Sequence, residues 1–276
     1  MLRTRDFLGL RRATDGAWSM AVGSQNIGGR RGSLFGGSGL AAGVAALEES
    51  ADRPVAWATG QYVSTVQQGS VMDIDIHFPA MGHSMAQGRA VGMVGDAEII
   101  SIVAALGQRR EEVRGVWTTA PDVPRPQDCE LLERTFEVPC VHDHVDIRLA
   151  GGMFGFNGQG DPSGDGNLRL WVRMPEVALD AAALALIADY MSAGVGNAFG
   201  TRVHCTSLDN TIRYANPITD AEADGWVLCD GEVAFAGNGL AYGSGHIWSE
   251  SGRLLATASQ SMTVGLMTDE SGKIRR

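Results

Sequence analysis

A chain of 276 residues with 44% hydrophobic and 20% charged residues is globular in composition, and long enough for one large or two medium lobes with a real core. Its net charge of −10 excludes a general nucleic-acid surface, though a small anionic ligand needs only local positive charge. Four scattered cysteines with no CxxC pair, no cleavage-site pattern at the N-terminus and no apolar run near the roughly 18 residues of a membrane span predict a cytoplasmic protein with reduced thiols.

In chain order, strands are predicted over residues 7–12 and 17–22, then a glycine-rich loop over 23–32. The stretch 34–47 carries small or apolar side chains on nearly every face, which predicts a buried helix. Strands follow at 55–63, 71–78, 84–94 and 97–106, with turns at Gln68-Gly69, at 79–82 and at Gly95-Asp96, the last read as a hairpin. Residues 107–131 break this rhythm. A charged stretch from Gln108 to Val113 and a proline-rich one from Ala120 to Pro126 cannot continue a sheet ladder. The expected organisation is an N-terminal lobe of 1–107, a linker of 108–131 and a C-terminal lobe of 132–276. The second lobe is predicted to hold strands at 136–139, 144–149 and 168–174, and then a helix over 180–190 with Asp180 as its N-cap and Gly194 as its stop. Strands at 203–214, 225–236, 240–249 and 253–266 complete it, the last two joined by a tight turn at 249–252. One element order, a buried small-residue helix followed by antiparallel strands, is thus written twice. The fold class expected is α+β, with the two sheets joined or packed together.

Several chemistries find no motif. There is no G-x-S-x-G elbow, no P-loop and no G-x-G-x-x-G opening a helix. In an extended segment His142, His144 and Asp146 would share a face, yet nothing nearby completes a coordination shell, so no metal is expected. Residues 161–167 resemble the start of an EF-hand loop, but Val172 stands where its bidentate glutamate would be, and a polar turn is the better account. Asp189 lies late in an Ala/Leu/Ile helix, where the negative end of the dipole and apolar neighbours would both raise its pKa, as suits a base. Ser207 and Gln260 fall on strands with a buried face. Asp209, two residues beyond Ser207, is predicted to share its face and is a second candidate base.

Phe35-Gly36-Gly37 ahead of Leu40-Ala41, the strand Gly82-His83-Ser84-Met85-Ala86-Gln87-Gly88-Arg89-Ala90, the triplet Ser207-Leu208-Asp209 and the closing Gly252-Arg253-Leu254-Leu255-Ala256-Thr257-Ala258-Ser259-Gln260 together resemble the acyl-CoA thioesterase II family. The likeness runs over almost the whole chain. Asn210 stands where that family commonly has His, and Ser261-Met262 where it has Glu-Gly. The resemblance implies a double hotdog, two helices each wrapped by an antiparallel sheet. It also implies an enzyme that hydrolyses a fatty or related acyl-CoA to acid and CoA without a cofactor. Asp189, Ser207 and Gln260 would hold the water against the thioester, with Gly36, Gly37 and Asp209 on the substrate side. Backbone N–H groups at the Gly36-Gly37 helix start could face the developing oxyanion. A hotdog hydratase or dehydratase is a second reading, which would want a His beside the acid; His204 lies near Ser207, but neither central helix carries a His. A non-catalytic acyl-CoA-binding module of the same fold is a third. With both lobes in one chain the minimal hotdog pair needs no second subunit, and a further homo-oligomer is left open.

Overall fold

The computed structural model describes residues 1–28, 32–109, 113–133, 136 and 138–267. Its frame is one 13-stranded antiparallel sheet. The first lobe contributes β1 (Leu10–Arg12), β2 (Trp18–Ala21), β3 (Val55–Tyr62), β4 (Val71–Met81), β5 (Met85–Val94) and β6 (Ala97–Gly107). The remaining strands are β7 (Glu130–Leu131), β8 (Asp146–Gly151), β9 (Asn167–Arg173), β10 (Val203–Tyr214), β11 (Val227–Gly237), β12 (Leu240–Ser249) and β13 (Leu254–Leu266). In space they run β1-β2-β4-β5-β6-β3-β10-β13-β12-β11-β9-β8-β7. The lobes therefore join edge to edge, through β3 and β10.

That junction carries a local twofold. Thr59 and Thr211 pair across it, their hydroxyls 2.9 Å apart. Rotation about this point lays β3 on β10 and β6 on β13, and the registers agree residue by residue. Asn210 pairs with Gln260 as Ala58 pairs with Ala104, and the bulge between Ser207 and Asp209 recurs between Val55 and Trp57.

Beside β3–β6 lies helix α2 (Gly36–Ala51), which follows the short α1 (Thr4–Phe7). Its partner helix in the second lobe is α3 (Ala181–Ala188), continued by a 3-10 turn over Asp189–Ala193 and by α4 (Gly194–Phe199). Asp180 caps α3 as expected: its Oδ1 accepts from the Ala183 N–H at 2.8 Å and from the Thr4 hydroxyl at 2.6 Å. α2 and α3 pack on each other, and their apolar faces merge into one core that crosses both lobes. Among the described residues Ala181–Phe199 has the length and mean hydropathy of a membrane span, but 83% of that window is buried inside the protein.

Some expectations need correction. The strand predicted over 7–12 is α1 followed by β1. β4 runs on through Pro79, absorbing it at a bulge between His77 and Ala80 instead of turning there. No strand forms over the described residues of 136–139, and a 3-10 turn at Val141–His144 comes before β8. Gly194 does not stop the helix; Gly200, at φ 62°, does. At its far end the predicted linker folds back, and Glu130–Leu131 pairs with β8. Arg110, Glu111 and Glu112 of its charged stretch lie outside the described residues, as do Gly29, Arg30 and Arg31 of the glycine-rich loop.

Candidate active site

The N-terminus of α2 runs directly into the end of α3. The Gly37 N–H donates to Asp189 Oδ2 at 2.8 Å, so the first turn of one helix holds the acid of the other. Only glycine permits this approach: a Cβ on Gly37 would lie 2.5 Å from the Leu186 carbonyl oxygen. At Gly36 it would lie 3.0 Å from Asp189 Oδ2 and 3.1 Å from the Tyr62 hydroxyl.

The other face of Asp189 meets the sheet. Gln260 on β13 donates through Nε2 to Asp189 Oδ1 at 2.5 Å and to Ser207 Oγ at 2.7 Å. Ser207 on β10 in turn donates to Asp189 Oδ1 at 3.3 Å. The three residues expected to act together are thus one hydrogen-bonded network, although Asp189 and Gln260 are 71 positions apart in sequence.

Asp189 is 4% exposed and Gln260 3%. Burial lifts the Asp189 pKa above the ordinary carboxyl range, against the lowering pull of the Gly37 N–H, Gln260, Ser207 and Asn210. The dipole argument is corrected here. Helical structure continues past Asp189, and the helix end that touches its carboxylate is the N-terminus of α2, whose field favours the ionised form. Desolvation alone raises this pKa.

Asp209 does not share the face of Ser207. The bulge leaves Leu208 unpaired, and the inward-facing set changes from Val203, Cys205 and Ser207 to Asn210 and Ile212. Asp209 is held instead against the neighbouring strand, where its Oδ1 accepts from the Ser261 N–H at 2.9 Å. Asn210 takes the inner position: it is wholly buried and close enough to Asp189 and Tyr62 to act on the ionisation of both, though neither amide atom reaches hydrogen-bonding geometry. Gly37 is corrected as well, since its N–H is committed to Asp189; of the pair it is Gly36 that lines the adjoining cavity.

That cavity measures about 890 Å³, and Asp189 and Ser207 are among the residues that line it. Its walls are mostly hydrocarbon and aromatic, among them Leu34, Phe35, Ile100, Phe136, Phe154 and Phe156. His142 also borders it, but His142 and His144 sit in a 3-10 turn and not on a strand face. The His142 ring stacks on Phe136, and its Nδ1 lies 2.6 Å from the Tyr190 hydroxyl. Burial pushes the His142 pKa down to about 4, against the Asp143 charge, so the ring is neutral at pH 7. His144 pairs with Glu176 at 3.4 Å. Among the described residues no group of three His, Cys, Asp or Glu side chains is arranged to hold a metal ion.

The network has a blank twin. Under the local twofold Ser207, Asn210 and Gln260 correspond to Val55, Ala58 and Ala104, all buried and apolar. Tyr62 was not singled out by sequence reasoning, and Asn210 was noted only as standing where the resembled family commonly has His. A signal for Tyr62 exists: Tyr214 ends β10 at the equivalent place, so each lobe closes its first post-helical strand with a tyrosine.

Residues 118–264 match the family model of the acyl-CoA thioesterase C-terminal domain. A solved structure from Novosphingobium aromaticivorans DSM 12444, described as a "putative thioesterase", is 32% identical with a TM-score of 0.81, covering 92% of this chain and 97% of that one. The acyl-CoA thioesterase II TesB2 of Mycobacterium marinum superposes at a TM-score of 0.74 with 17% identity, over 95% of this chain and 98% of its own. A conserved protein of unknown function with a hot dog fold from Alicyclobacillus acidocaldarius reaches 0.84 with 20% identity, over 96% and 98% of the two chains. No curated protein matches. With more than half of its length matched by the family model, the chain belongs to the acyl-CoA thioesterase family and has the double-hotdog fold.

Proposed function

We propose that the protein hydrolyses a fatty or related acyl-CoA thioester to the free acid and CoA. The observation that carries this reading is the buried Asp189–Ser207–Gln260 network, of which Asp189 and Ser207 line a mainly apolar cavity. Apolar walls suit an acyl chain, and the polar groups converge where its thioester would stop. A water there loses a proton to Asp189 as its oxygen attacks the carbonyl carbon. Ser207 and Gln260 orient that water and steady the carboxylate. The tetrahedral intermediate then collapses with cleavage of the C–S bond, and the proton passes from Asp189 to the departing sulfur. The raised pKa of Asp189 brings its proton affinity closer to working pH, which favours both transfers.

In this reading the lobes of 1–107 and 132–276, joined by the linker of 108–131, share the work. The first brings the α2 N-terminus with Gly36 and Gly37, and the second brings the acid, the serine and the amide. The test is thiol release from acyl-CoA substrates of graded chain length. Ser207→Ala and Asp189→Asn are each expected to lower turnover by about 10²-fold or more, as for lost positioning and proton-accepting groups. Full turnover in both, with the fold intact, defeats the proposal. Binding of acyl-CoA without thiol release by the wild type favours the non-catalytic module instead.

A further inference from the structure

We propose that Tyr62 is a further catalytic residue, donating a hydrogen bond from its hydroxyl to the thioester carbonyl oxygen as that oxygen gains charge. The inference rests on the hydrolytic reading of the Asp189 network. Three observations carry it. First, Tyr62 borders the cavity together with Gly36, Asp189 and Ser207. Second, its hydroxyl is buried and makes no hydrogen bond among the described residues. A buried hydroxyl left without a partner is costly, and a native fold usually satisfies it or uses it. Third, the hydroxyl and the acid flank one point: a Cβ at Gly36 would lie within 3.1 Å of Tyr62 Oη and 3.0 Å of Asp189 Oδ2. A carbonyl brought against Gly36 is therefore close to both an O–H donor and the proton acceptor.

The protein contains its own control. Tyr214 is the twofold equivalent of Tyr62, yet its hydroxyl donates to the Ala181 carbonyl oxygen at 2.8 Å. Around it stand Val55, Ala58 and Ala104 in the places of Ser207, Asn210 and Gln260. Where the polar network is missing the tyrosine is spent on structure; where the network is present the tyrosine is free. Burial, then the charges of Asp189 and Asp209, hold the Tyr62 pKa far above the ordinary phenol value, with Asn210 opposing. The hydroxyl thus keeps its proton throughout the working range. It gives up none during the reaction, since the water's proton goes to Asp189 and on to sulfur; Tyr62 only stabilises the oxyanion.

The experiment compares wild type, Tyr62→Phe, Tyr214→Phe and Gln260→Ala in thiol release. It adds the infrared carbonyl band of a bound CoA ketone in which a methylene replaces the thioester sulfur. Tyr62→Phe is expected to lower kcat by about 10²-fold, as for removal of one oxyanion donor, with KM within about threefold. The ketone band, displaced to lower frequency in the wild type, should return toward its value in water in Tyr62→Phe and stay displaced in Tyr214→Phe. Tyr214→Phe should keep kcat and lower Tm, having lost only the bond to Ala181. A wild-type kcat in Tyr62→Phe, or an unchanged band even with kcat reduced, overturns the assignment. Should Gln260→Ala also keep full activity, the hydrolytic site itself is misplaced; should Gln260→Ala be impaired while Tyr62→Phe is not, only the role of Tyr62 fails.

Discussion

Replacing Gln260 with alanine removes the amide that donates to Asp189 Oδ1 at 2.5 Å and to Ser207 Oγ at 2.7 Å. The bond to Asp189 favours the charged form, and a hydrogen bond to a charged group is worth about 1.5–3 kcal/mol. Without that bond the pKa of Asp189 should climb further above the ordinary carboxyl range. The sign follows from the protonation state. A base with a higher pKa stays protonated over more of the acid range, so activity is lost at low pH and returns as pH rises through the new value. The acid limb of kcat should therefore move to higher pH. Loss of water orientation adds a fall at every pH, for a combined effect of about 10²-fold near neutrality. Initial rates of thiol release between about pH 5 and 9 measure both parts. An acid limb that stays in place in Gln260→Ala would refute the reasoning, because the amide would then not be holding the catalytic carboxylate.

Other expectations lie outside this pair. Burial, reinforced by Asp180 and opposed by the Val55 N–H, raises the Glu48 pKa from 4.5 to about 7. Its contribution to stability is thus full below pH 4.5 and is lost as pH rises through about 7, a change of about 3 kcal/mol. Glu48→Gln should flatten that part of the pH–stability curve in urea unfolding, and parallel curves for the two proteins would sink the argument. Gly37→Ala places a Cβ 2.5 Å from backbone at Leu186; it should cost about 1–3 kcal/mol by forcing α2 and α3 apart, and an unchanged Tm would contradict that contact. Asp209→Asn keeps an oxygen for the Ser261 N–H and should leave kcat within about threefold of wild type; an acid limb that vanished with Asp209 would put the base on the strand.

Strong local pattern made the frame readable. The bounds of β10 and β12 agree with expectation because alternating or apolar runs there are closed by turn residues. Helix α4 was not readable, since Gly194 looks like a stop. Two residues on, a Cβ at Gly196 would lie 2.3 Å from Gly155 Cα; glycine in this helix serves close packing, which no local rule reports. The face of Asp209 was misread for a different reason. A period of two carries parity along a strand, and the single unpaired residue Leu208 reverses it. Ser207 and Gln260 were legible through short motifs carried by family likeness, and Asp189 through its place as an acid in an apolar helix; the structure joins the three by hydrogen bonds. Tyr62 was not legible, because its meaning lies in a missing hydrogen-bond partner and in the contrast with Tyr214.

Two identical subunits cannot edit one copy of a shared surface without editing the other. A chain that holds both halves can. Buried polar groups carry a desolvation cost wherever they occur, and a symmetric assembly would bear it at both ends of its twofold. Here one end is polar and opens on the cavity, while the other is plain hydrocarbon at Val55, Ala58 and Ala104. Joining the lobes has therefore allowed a division of labour in which one half-site is free to be optimised for chemistry and its twin for cohesion.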